Sequence, residues 1–175
     1  MTATHPGRPE ADEYLPYFGQ YIDRVPEGDI VELLTKQLEA TCCLLAPLSP
    51  AQVNYRPKPE DWNILEVLGH ITDGERVFTY RALRIARNDK TPLASFDQDL
   101  FVANADFASR PLADLLDEYT TVRRATLTLF RSLSPAAWLR KGTASDHPVS
   151  VRALAYISAG HELHHIADFH QRYRI

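Results

Sequence analysis

With 175 residues, 45% of them hydrophobic, the chain is long enough to bury one real core and short for two domains. A formal net charge of −4, with acidic and basic residues interspersed, gives no basic footprint for nucleic acid. No run of apolar residues is long enough to cross a membrane, no charged segment precedes an apolar run at the start, and the only cysteines are the adjacent pair Cys42 and Cys43. Membrane spans, secretory leaders, disulfide frameworks and cysteine zinc sites are therefore not expected, and the expected location is the cytoplasm.

Residues 1–26 contain Pro6, Pro9, Pro16 and Pro26 and read as an extended or partly ordered lead-in. Its aromatics Tyr14, Tyr17, Phe18 and Tyr21 are expected to pack on the body, which occupies residues 27–175 as a single domain. Over residues 29–45, Ile30, Leu33, Leu34, Leu38 and Leu45 recur at helical spacing behind Asp29, a suitable N-cap. A second helix opens near Pro59 and Asp61, carries Ile64, Leu68, Ile71, Phe78 and Ile85, and stops near Asn88. Residues 89–110 read as a loop, long enough to be functional. Pro111 is expected at the first position of a third helix that runs to Leu133. A second long loop spans residues 134–150, and the last helix covers residues 149–172. Four amphipathic helices with little strand signal predict an all-α fold, a four-helix bundle with long connections between helices two and three and between three and four.

Four of the seven histidines lie in "GHELHHIADFH", residues 160–170. His161 and His165 are four positions apart, one turn along one face, and Leu154 and Ile157 continue that face upstream, so both imidazoles should project inward. On the second helix His70 occupies an apolar stripe between Gly69 and Gly74, two residues that disfavour helix and suggest space kept open. Three histidines on facing helices suit one divalent ion with an open coordination position. The competing reading is that such histidines are satisfied core or surface groups, and this fits His147, His164 and His170 better than the inward three. Formally the stretch also contains H-E-x-x-H, the zinc-peptidase string. That reading falls to a minor alternative because no third ligand follows downstream and Glu162 is rotated about 100° from His161.

The stretches "DWNILEVLGHITDGERVFTYR" and "AYISAGHELHHIADF" resemble the DinB-like (damage-inducible) superfamily, also described as YfiT-like metal-dependent hydrolases. The resemblance spans roughly residues 28–172 in the same helix order, with Trp62 among the agreeing aromatics. It implies a DinB/YfiT-like bundle with one divalent metal, zinc or nickel, held by a histidine of helix two and an H-x-x-x-H pair of helix four. Carried onto this sequence, the ligands are His70, His161 and His165. The resemblance further implies a small-molecule substrate, either metal-dependent hydrolysis or S-transfer with a low-molecular-weight thiol cosubstrate (mycothiol, bacillithiol or glutathione), and a homodimer. Glu162, Asp73 and Asp168 are the candidate general bases or imidazole-orienting acceptors. A bundle that binds metal or ligand without turnover is the alternative.

Overall fold

The computed structural model describes residues 6–175. The chain begins with 3-10 turns at Ala11–Glu13 and Pro16–Phe18 and a short helix α1 (Gly19–Ile22). Helix α2 (Ile30–Leu45) starts where the Asp29 carboxylate accepts from the backbone N–H groups of Val31 and Glu32, an N-cap as expected. A single capped turn, α3 (Pro50–Val53), follows.

Helix α4 (Ile64–Ala86) opens later than Pro59 and Asp61 suggested. The start belongs to Asn63, whose side chain accepts from Glu66 N while Glu66 Oε2 accepts from Asn63 N, the reciprocal pair of a capping box. Its end matches expectation, with Asn88 in the left-handed region at φ 62°. The following connection is not plain loop. It holds helix α5 (Gln98–Ala105), capped by Asp97, and a 3-10 turn at Phe107–Ser109. Helix α6 (Leu112–Arg131) has Pro111 as its N-cap, one position earlier than expected. After the turn α7 (Pro135–Trp138), strands β1 (Lys141–Ala144) and β2 (His147–Ser150) form an antiparallel hairpin that pairs Lys141 with Ser150 and Ala144 with His147. Its two turn residues, Ser145 and Asp146, both have positive φ (52° and 64°), the backbone of a type I′ turn. Leu93 adds one parallel bridge to Ala144. Helix α8 (Val151–Asp168), capped by Ser150, runs on into a π-helical turn, Phe169–Tyr173.

Helices α2, α4, α6 and α8 form the four-helix bundle, with α4 packed on α6 and α8, and α2 on α6 and α8. Their apolar side chains divide into two buried clusters. One holds Leu34, Phe78, Phe130, Leu154 and Ile157; the other holds Leu45, Leu68, Ile71, Tyr119 and Phe169. Between them along every helix lie buried polar residues: Thr41 on α2, His70 and Glu75 on α4, Arg123 on α6, His161 and Glu162 on α8. A polar layer thus crosses the middle of the bundle. Across its edge runs α1, so close to α8 that a Cβ on Gly160 would stand 2.0 Å from the Tyr21 carbonyl oxygen. Glu13 helps hold this segment down by accepting from Ser150 Oγ and Arg152.

Candidate metal centre

The polar layer has two faces, divided by α8. On one, His70 Nε2 lies 2.9 Å from His161 Nε2, and His165 Nε2 lies 3.2 Å from that same atom. The ring planes are nearly perpendicular in pairs (73°, 83° and 88°), so three nitrogens face one another and not three ring faces. The four-residue spacing of His161 and His165 brings both to one turn of α8, and α4 supplies His70. Around them stand the edge of Tyr21 on His161, with centroids 5.4 Å apart, and Trp62 on His70 at 5.0 Å. Gly74 leaves His161 its place: a Cβ there would approach Cε1 to 3.3 Å. Gly69 serves a different purpose from the one its sequence position suggested. The Phe107 ring fills the space beside it, 2.5 Å from where a Cβ would be.

Burial favours the uncharged imidazole throughout. It pushes His70 down to about 4 and His165 to about 3, with the neighbouring histidines lowering His165 further; His161, the most enclosed, falls well below the ordinary value. Near neutral pH the group therefore presents unprotonated nitrogens, the form that binds metal. The donor set fits a divalent ion: three neutral imidazoles from two helices, grouped so that they can hold one ion.

Cavities reach the histidines from two sides. One, of about 460 Å³, is lined by His165, Asp168, Trp62 and Asp99; the other, of about 190 Å³, by His70, His161, Tyr21 and Phe78. Both long connections contribute wall: Asp99 of α5 to the first, and Phe96, Gln98 and Ser145 to the second.

The three candidate bases are scattered. Asp168 lines the larger cavity with His165 and sits 3.9 Å from His164 Nε2 and from Arg172. Asp73 does not line either cavity; it pairs with Arg76 at 3.1 Å in a half-exposed network with Glu118 and Arg110. Desolvation raises its pKa, an effect its bond to Arg76 opposes. Glu162, expected as a candidate base, has its carboxylate bound to residues of α2 and α6. Its Oε1 accepts from Thr41 and Tyr119, and its Oε2 from Arg123 at 2.6 Å. Arg123, wholly buried, also makes a two-pronged pair with Glu75 and donates to the Leu34 carbonyl. Sequence reasoning missed this cluster. The available signal was a charged residue, Arg123, on the inward stripe of α6 one turn from Tyr119 and from Leu127.

The bundle and its histidine group define a helical fold of the YfiT type. The solved structure of YfiT from Bacillus subtilis is similar to this chain with a TM-score of 0.71 at 15% identity, over 96% of this chain and 92% of YfiT. YfiT is described as a probable metal-dependent hydrolase with an unusual four-helix bundle topology. Residues 33–169 match the DinB superfamily, and the chain belongs to that superfamily. No curated protein is significantly similar in sequence.

Proposed function

We propose that this protein is a divalent-metal-dependent enzyme acting on a small molecule, by hydrolysis or by transfer of a low-molecular-weight thiol, with His70, His161 and His165 as the metal ligands. The observation that carries the reading is the meeting of the Nε2 atoms of three uncharged imidazoles on the walls of two cavities. A three-histidine ion with an open position supplies Lewis acidity and lowers the pKa of a water or thiol. The chain's own residues do the rest. Trp62 and Tyr21 pack against the imidazoles and fix their ring planes. Asp168, which lines the larger cavity with His165, would take up the proton. Asp73 is held by Arg76, and Glu162 by Arg123, so both act through the fold. Zinc or nickel suits the donors, and the proposal includes a cytoplasmic homodimer.

Metal analysis of the purified protein tests the site. One equivalent of zinc or nickel is expected in the wild type and a large loss in His70→Ala and His161→Ala; unchanged metal in those variants would refute the ligand assignment. Hydrolysis and thiol-transfer assays with mycothiol, bacillithiol and glutathione then test turnover. Flat activity in a metal-loaded protein would leave a binding bundle.

A further inference from the structure

Arg81 lies on α4 along the stripe that begins at His70 and passes Gly74 and Phe78, and it lines the same 190 Å³ cavity as His70 and His161. It is only 5% exposed, yet among the described residues no carboxylate pairs with it. Arg123, fully buried, has Glu75 and Glu162 as partners, and Arg152 has Glu13. Arg81 Nη2 donates to the Ala94 carbonyl at 2.6 Å and to Ser145 Oγ at 3.0 Å, which fixes the guanidinium against the two long connections. Its Nε and Nη1 meet no acceptor among the described residues, and the residue lines the cavity. Phe96 covers one face, 5.6 Å from the guanidinium carbon. Burial alone lowers its pKa, with no neighbouring charge to restore it.

A buried cation without a counter-ion is unfavourable, and the imbalance is relieved when an anion enters. The guanidinium and the histidines line one cavity, so a molecule held at Arg81 shares that space with His70 and His161. We infer that Arg81 is the anchor for a substrate carboxylate, whose apolar or aromatic body lies against Phe78, Phe96 and Tyr21 with its reactive end at the histidine group. A carboxylate fits better than a phosphate dianion, because no second cationic side chain lines the cavity. The free Nε and Nη1 provide donors for carboxylate oxygens. An apolar cavity adjoins at Phe78, Arg81 and Ser145 and extends to Leu154 and Ile157, giving the substrate's body further room. This assignment names the substrate class of the proposed enzyme and rests on that reading for its catalytic meaning; anion binding itself is independent of the metal.

The test uses chelator-treated, metal-free full-length protein, with benzoate, its neutral counterpart benzamide, and phenyl phosphate as probes, each titrated by NMR. Wild-type protein should bind benzoate at least tenfold more tightly than benzamide. Arg81→Gln should abolish that preference while leaving benzamide affinity unchanged, and Arg81→Lys should keep part of it. Equal binding of benzoate and benzamide by the wild type would overturn the assignment, even if the variants fail to fold. So would an Arg81→Gln protein that keeps the preference, and tighter binding of phenyl phosphate than benzoate would overturn the choice of carboxylate. Metal content separates the two readings: a preserved benzoate preference in a protein that takes up no metal sinks the enzyme and leaves the anion anchor standing.

Discussion

Arg123 Nη2 and Glu162 Oε2 meet at 2.6 Å inside the bundle, and the residue before Glu162 is His161. Two adjacent side chains on α8 thus serve opposite faces of one polar layer: His161 the histidine group, Glu162 the charge cluster. Without the Glu162 carboxylate Arg123 stays paired with Glu75, but the Thr41 and Tyr119 hydroxyls and one Arg123 N–H lose their buried acceptor, at about 1–3 kcal/mol for each unsatisfied group. We predict that loss for Glu162→Ala in urea unfolding at pH 7, with metal stoichiometry unchanged in the protein that remains folded. A variant of normal stability that had lost its metal would refute this division of roles.

Ion binding should stabilise the native state. Added zinc or nickel at a hundredfold excess over the dissociation constant is predicted to raise stability by about 2.7 kcal/mol. In thermal unfolding the chelator-treated wild type should melt lower than the loaded protein. His161→Ala should melt at the same temperature with and without the ion.

Acid should weaken the metal-free protein through the histidines. Folded His70 has a pKa near 4 against an ordinary 6.5, and His165 lies near 3. Between those values and 6.5 the unfolded chain binds more protons than the native one, so stability falls as pH drops through that window and is intact above it. Each such histidine contributes a slope of up to about 1.4 kcal/mol per pH unit. Urea unfolding at pH 7, 6 and 5 is predicted to show a shallower fall for His70→Gln than for the wild type; equal slopes would count against the buried neutral imidazole.

Two glycines should respond differently to alanine. At Gly160 the new Cβ would stand 2.0 Å from the Tyr21 carbonyl oxygen, a backbone atom, whereas at Gly74 it would meet His161 Cε1 at 3.3 Å. Gly160→Ala must push α1 off α8, with an expected loss of about 1–3 kcal/mol and a changed tyrosine near-ultraviolet dichroism. Gly74→Ala should be the milder change in stability but should weaken metal affinity by shifting His161.

The long helices were legible in the sequence because apolar residues recur within each at helical period, as Ile30, Leu34 and Leu38 do on α2 and Ile64, Leu68 and Ile71 on α4. The histidine group was legible for the same reason: periodicity turns His70, His161 and His165 inward. What stayed hidden was short or reciprocal. Helix α5 has eight residues, too few for a periodic signal, and the hairpin turn uses Ser145-Asp146 in place of a glycine-bearing pair. Glu162 could be placed off the ligand stripe by its 100° rotation, but its partners Thr41, Tyr119 and Arg123 lie on two other helices and no local pattern joins them. That Arg81 has no counter-ion among the described residues is visible only in three dimensions.

The three histidines differ greatly in separation along the chain: His161 and His165 are one turn apart, while His70 is 91 residues from His161. A single helical turn of α8 is enough to present the close pair, so an ion can dock there before the bundle closes. Capturing His70 afterwards would tie off a 91-residue loop, which restricts the unfolded chain as a cross-link does. An ion bound in that order would act as a folding template, with the order of assembly set by the spacing. Refolding that accelerates with added zinc in the wild type, and not in His165→Ala, is the expected kinetic signature.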